Sequence, residues 1–421
     1  MSRKELQRER IMNAIAVPEE MKRFAGRIMD IDSHEMMPVQ SWIDIFGEEF
    51  RPIVEWLSEE FVVTGKSDAN DLNSLNYPGF DGEASEIDAQ VLNRKGSRAP
   101  GAIDPKLRLD VMDAAGVSRQ LMFPGVSPKL LRIALYGASM PGSAVLEEPE
   151  FLRREPDKHA LARRWLGIYD DWCIDVMQQS KGRIRPAVLV SGKSPEDLYA
   201  HVESLLKRGI RAIFLPTGVP PGGRSPAHSD HDRLWSLLAE ADCAVTLHVG
   251  VENDFLKTRE WVEAPVFKGY KELLEFASDP YTLATLHVPA QNFLSAVVMG
   301  GVFERHPRLR FGIVELGGMW IGPLMELMDS WYDNSKMSRH LPDRPSNYIK
   351  RNVRVTPFVF EDSGALIRKY GLEDVLCFST DYPHIEGGQD MYRKYHEMLS
   401  PLGPEAEEKF FVRNGSFLLP A

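Results

Sequence analysis

Eight short apolar runs, each five to eight residues long and separated by amphipathic stretches, constrain this chain more than any other feature. They are IMDID (28–32), VSRQLMFP (117–124), RIRPAVLV (183–190), IRAIFLP (210–216), CAVTLH (243–248), LRFGIVE (309–315), NVRVTPF (352–358) and DVLCFSTD (374–381). Apolar runs of this length alternating with helical periodicity are the pattern of parallel strands joined by helices. Eight such units predict an α/β fold, a (β/α)8 TIM barrel. The intervening helices carry their own punctuation. SPEDLYAHVESLLKRG opens with cap chemistry at Ser194 and closes on Gly209, and SDHDRLWSLLAEAD repeats the design. An open doubly wound sheet fits less well: no GxGxxG follows the first strand, and polar residues end several strands instead of flanking one crevice. No internal repeat is visible.

A minimal barrel takes roughly 250 residues, and this chain has 421. The reading is an N-terminal extension (1–27) and a single barrel domain (28–421) with long insertions at about 35–110 and 250–285. Both insertions follow strand C-termini, the face on which barrel enzymes build their substrate loops. Trp42 or Trp261, one on each insertion, is expected to line or cover a substrate.

Composition removes several classes of function. Lys plus Arg number 50 against 61 Asp plus Glu, a formal charge of −11, and no basic tract is interleaved with aromatics. Nucleic acid is therefore not an expected partner. The three cysteines, Cys173, Cys243 and Cys377, lie far apart without CxxC spacing, which leaves neither a disulfide framework nor a thiolate zinc site. The N-terminal stretch scatters its charges, and no run approaches about 18 apolar residues. A soluble cytoplasmic protein without a membrane partner is expected.

Chemistry concentrates where the strands end. Side chains alternate along a strand, so Asp30, Asp32 and His34 of IMDIDSHE all face one way. Such a cluster must be solvated, paired or holding a cation. His248 ends the fifth strand, Glu315 the sixth and Asp381 the eighth. Imidazoles and carboxylates together suit zinc, manganese or iron. His287, His384 and Glu386 stand close enough in sequence to reach the same mouth. Asp30, two residues deeper than Asp32, is expected to meet a buried partner. His228 and His231 flank cap-forming acids on an exposed loop, and His306 belongs at the opposite end of the barrel.

These residues carry a resemblance. With DIDSH at the first strand, LMFPG at the second, HVG at the fifth, then GGVFERHPRLRFGIVELGGMW, STDYPH and a final RNGSFLL, the chain resembles the amidohydrolase-related family. The branch in question includes aminocarboxymuconate-semialdehyde decarboxylase and the resorcylate-type decarboxylases. The resemblance implies a divalent metal (Zn, Mn or Fe) held by Asp32, His34, His248 and Asp381. Two departures stand out. Asp32 replaces the first histidine of an HxH pair, and Glu315 occupies the place of the decarboxylases' proton-donating histidine. Glu315 is open to three readings: a general base, a further metal ligand, or a plain pair with Lys or Arg.

Two enzyme classes follow. The first is a metal-dependent hydrolase or non-oxidative decarboxylase of a small organic substrate, carboxylic or aromatic, with Asp381 or Glu315 accepting a proton and His287 or His384 assisting as catalytic groups. The second is a nonheme diiron monooxygenase, with two Fe, acting on a hydrophobic substrate. Family resemblance also implies a homodimer.

Overall fold

The computed structural model describes residues 14–56, 87–125, 150–250, 264–267, 280–336 and 340–421. Eight parallel positions close into the predicted barrel. β1 (Ile28–Asp30) pairs with β2 (Val117–Met122), which pairs with β3 (Ile184–Pro186). β4 (Val188–Leu189) continues the line of β3 past Ala187 and pairs with β5 (Ala212–Phe214). Then follow β6 (Ala244–His248), β7 (Arg310–Val314) and β8 (Val353–Val355). Residues 375–382 take the last position. Cys377 N–H donates to Val355 O at 3.0 Å on one side, and Phe378 O accepts from Ile31 N–H at 3.1 Å on the other. Bridges at Leu376 and Tyr382 extend both seams, so the sheet has no open edge.

Inward side chains fill the barrel. Met29, Ile31, Leu121, Phe123, Leu189, Phe214, Val314 and Cys377 form one buried cluster, joined from below by Leu418 and Leu419 of the C-terminal segment. That segment is held closely. A Cβ on Gly415 would come within 2.4 Å of Met29 Cβ, so only glycine fits against β1 there. Arg119 donates to Leu419 O at 3.0 Å, Arg310 to Phe417 O at 2.6 Å, and Arg185 to Pro420 O. Arg354 lies 4.2 Å over the Phe417 ring. Inward arginines at the N-terminal ends of four strands thus receive the last residues as the floor of the barrel.

Helices wrap the outside as expected. Ser194 caps Pro195–Lys207 by accepting from Asp197 N–H, and Gly209 follows with φ +102°. The parallel design at SDHDRLW differs in detail: His228 Nδ1, not a serine or aspartate, accepts the capping N–H of Asp230. His231 is fully buried, against the expectation of loop exposure, because the turn at 221–224 packs over it beside Trp235.

The first insertion is described on either side of 57–86. Its Trp42 is fully buried, with Nε1–H donating to Met37 O at 3.1 Å and its ring edge-on to Phe50. Phe46 and Phe50 in turn pack on Tyr169 and Trp165 of the helix Lys158–Gln179. Trp42 therefore belongs to the core outside the barrel and does not line a substrate. Trp261 and most of 250–285 fall outside the described residues. Among the described residues no helix is long and apolar enough to cross a membrane.

Candidate metal centre

Four of the predicted residues, Asp32, His34, His248 and Glu315, converge on one point at the C-terminal rim, and Asp381 joins His34 and Glu315 beside them. His34 Nε2 lies 3.3 Å from Asp32 Oδ1, 3.5 Å from Glu315 Oε2 and 3.4 Å from Asp381 Oδ1. His248 Nε2 lies 3.4 Å from Asp32 Oδ1 and 3.0 Å from Glu315 Oε2. All five side chains are buried, and none of these five atoms makes a hydrogen bond. Buried polar atoms are nearly always paired, so five unsatisfied ones aimed at each other require an explanation. Donors about 2.1 Å from a shared ion stand about 3.0 Å apart in an octahedral set and about 3.4 Å apart in a tetrahedral one. The observed separations are therefore edges of a coordination polyhedron, and the donor set fits a divalent cation.

The backbone arranges this locally. Glu315 and Asp381 both adopt left-handed conformations, φ +52° and +50°, where the chain leaves its strand. A non-glycine residue there costs of order 1–3 kcal/mol and persists only where its surroundings fix it. Thr356 Oγ1 accepts the Glu315 N–H at 3.0 Å, and Asp32 O accepts the Asp381 N–H at 2.8 Å. His248 Nδ1 is 2.8 Å from Val249 O, which places the proton on Nδ1 and leaves Nε2 as the lone-pair donor. Phe123 covers His248 with ring centroids 4.3 Å apart. Asp30 meets a buried partner as expected: it accepts Thr380 N–H at 2.8 Å and Thr380 Oγ1–H at 2.7 Å. Burial nonetheless pushes its carboxyl up to about 7.

Charge crowding shifts the ionisation of the cluster. Burial would lower His248, but Asp32 and Glu315 facing Nε2 raise it to about 10. Burial would raise Glu315, yet the facing His248 and His34 hold it well below the usual carboxylate range. Asp381 is pushed up to about 6, by burial first and by Glu315 next. Among the described residues Glu315 faces His34 and His248 and no Lys or Arg.

The remaining candidates divide. His384 stacks on His34 at 3.7 Å between centroids, with Nδ1 3.3 Å from Asp381 Oδ1, and it is partly exposed at the mouth. Asp381 and His384 form a second donor grouping that shares His34 and Glu315 with the first. The shared imidazole nitrogen can serve only one ion. Glu386 lines a cavity of about 20 Å³ beside Asp32, Glu315 and Asp381, room for about one water molecule. His287 stands apart, its ring stacked 5.5 Å from Trp320. His306 bonds to Ser236 and Asp232 below β7, at the end of the barrel where it was expected.

Two residues of this region escaped the sequence reading. Glu35, next to His34, is buried and accepts from Gly125 N–H at 2.6 Å, Met37 N–H at 3.1 Å and Tyr169 O–H at 3.0 Å. Arg108 is buried beneath the rim. Its signal was present: an arginine on the same helical face as Val111, Met112 and Ala115.

A family model described as amidohydrolase matches residues 154–416. The chain belongs to the amidohydrolase family. Family membership makes it an enzyme, a metal-dependent hydrolase or carboxy-lyase. A search of curated protein sequences returns no match. Among solved structures, an amidohydrolase from Mycobacterium avium subsp. paratuberculosis is 18% identical with a TM-score of 0.63, covering 94% of this chain and 98% of its own. A 5-carboxyvanillate decarboxylase from Novosphingobium aromaticivorans, complexed with manganese and 4-hydroxy-3-methoxy-5-nitrobenzoic acid, is 15% identical with a TM-score of 0.57, covering 97% and 99%. A dihydroxybenzoic acid decarboxylase from Polaromonas, with bound manganese and 2-nitroresorcinol, is 12% identical with a TM-score of 0.53, covering 93% and 96%. At these identities the likeness is one of fold. His248, Glu315, Asp381 and His384 fall inside the span matched to the amidohydrolase family, whereas Asp32 and His34 lie before it.

Proposed function

We propose that this amidohydrolase holds one divalent metal on Asp32, His34, His248, Glu315 and Asp381, and hydrolyses or non-oxidatively decarboxylates a small carboxylic or aromatic substrate. The observation that carries this is the convergence of four buried donor atoms, on Asp32, His34, His248 and Glu315, none hydrogen-bonded and at coordination-edge spacing, with Asp381 Oδ1 3.4 Å from His34 Nε2 beside them. Three carboxylates with two imidazoles form a hard donor set that suits manganese or iron at least as well as zinc. Manganese in the two decarboxylases of like fold supports that choice. When bound, the cation would polarise a carbonyl or carboxylate oxygen, or acidify a water molecule.

The chain's own residues divide the rest of the work. Asp32, His34 and His248 lie in or next to β1 and β6 and form the rigid side of the site. Asp381 and His384 sit at the more open side, with Oδ1 and Nδ1 3.3 Å apart. A carboxylate beside an imidazole at the mouth suits accepting and returning a proton. Phe123 and Phe214 pack below His248 and keep water from reaching the site through the barrel.

Elemental analysis of the purified protein tests this reading. About one manganese, zinc or iron per chain is the expected result. A metal-free protein that takes up none of these ions would refute it. Two irons per chain with dioxygen consumption would replace it by the oxygenase reading.

A further inference from the structure

Arg108 joins three pieces of backbone that meet under the metal centre. It lies on the helix Pro105–Ala114, is 2% exposed, and donates Nη2–H to His34 O at 2.6 Å, Nε–H to Gly101 O at 2.6 Å and Nη1–H to Tyr382 O at 3.2 Å. Its guanidinium stacks 4.9 Å from the Tyr382 ring, whose hydroxyl donates to Pro100 O at 2.7 Å. Two of the three carbonyls belong to the site itself: His34 is a donor residue, and Tyr382 follows Asp381. The third belongs to the end of the first insertion. Gly101 permits the approach, since a Cβ there would lie 2.6 Å from Arg108 Cα, and its φ of +68° disfavours any side chain.

We infer that Arg108 is a positioning residue of the metal centre, fixing the spacing of His34 against Asp381 and adding a buried positive charge behind the carboxylates. This rests on the reading of those residues as metal ligands. The planar guanidinium presents its N–H groups in a fixed fork, so binding three carbonyls at once locks the relative positions of β1, the 375–382 segment and the insertion. His34 Nε2 and Asp381 Oδ1, 3.4 Å apart, are thereby held at one edge of the polyhedron. A single divalent ion among three carboxylates and two neutral imidazoles leaves one net negative charge, which the buried guanidinium offsets. Arg108 lies outside the segment matched to the amidohydrolase family, so the family relation assigns it no role.

The test compares Mn²⁺ dissociation constants of the full chain, stripped of metal and titrated, for the wild type, Arg108→Lys, Arg108→Gln and a control. Lysine keeps the charge and stem but cannot hold three carbonyls at once; glutamine loses both charge and fork. The control is Asn352→Ala, a buried side chain that bonds Pro307 O and Leu309 O at the opposite end of the barrel. Loss of the support behind a ligand costs about 10–100-fold in metal affinity. The expected result is at least about tenfold weaker binding in Arg108→Gln, a smaller loss in Arg108→Lys, and an unchanged constant in Asn352→Ala. A folded Arg108→Lys or Arg108→Gln binding within twofold of the wild type overturns the inference, as does an equal loss in the control. A wild type that binds no Mn²⁺ overturns the metal reading as well, so the two failures are distinguishable.

Discussion

Replacing Glu315 by glutamine separates ligand from bystander. The change removes one of three carboxylates from the centre and leaves an amide of nearly the same shape 3.0 Å from His248 Nε2. Metal that binds only the folded state stabilises it by about 4.1 kcal/mol when free metal stands about a thousandfold above the dissociation constant. Unfolding entropy of about 2.1 cal/mol/K per residue gives this 421-residue chain roughly 0.9 kcal/mol/K. Metal should therefore raise the wild-type Tm by about 4–5 °C. Altering even a supporting group costs about 10–100-fold in affinity, and a direct ligand at least as much. At the same metal concentration the stabilisation of Glu315→Gln falls to about 1.4–2.7 kcal/mol or below. Its shift shrinks to about 1.5–3 °C or less. Differential scanning with and without Mn²⁺, after chelator treatment, reads both numbers. A Glu315→Gln protein with the full wild-type shift would show that Glu315 is no ligand. A wild type with no shift would remove the basis for the whole centre.

His384→Gln should retain metal and lose turnover by about 10²–10⁴, measured on the first substrate identified; loss of metal instead would move His384 into the ligand set. Trp42→Ala should lower stability by about 3–5 kcal/mol and leave metal stoichiometry unchanged, because this ring packs against Phe50 away from the centre. Glu361→Gln should cost about 1–3 kcal/mol by chemical denaturation, since its carboxylate accepts N–H groups of Gly318, Met319 and Phe358. A stability equal to wild type would show that those bonds are replaceable.

Strand order and the clustered side chains at the rim were legible in the sequence because both are local signals. An apolar run reports its own burial, and a charged residue directly after it reports the rim. What stayed hidden depends on which surfaces meet. Trp42 looked like a lid residue until the insertion was seen folded against Trp165 and Tyr169. His231 looked exposed because a loop sequence does not reveal the turn that packs over it. His287 follows the second insertion at a spacing that permits the mouth, and the fold stacks its ring on Trp320. Glu315 was ambiguous in sequence because its partner could have been any lysine or arginine in the chain. Arg108 binds carbonyls, and carbonyls leave no mark in a sequence.

The C-terminal floor of the barrel has a consequence for biosynthesis. Met29 and Gly415 pack against each other although 385 residues lie between them in the chain. At about 5–20 residues per second, a ribosome needs roughly 20–80 s to travel from one to the other. Through that interval β1 has neither its floor nor the 375–382 segment that closes the barrel beside it. Asp32 and His34 therefore emerge long before Asp381, and the complete cluster exists only once residue 381 has been made. A cation that needs the whole cluster thus cannot guide the early strands into place.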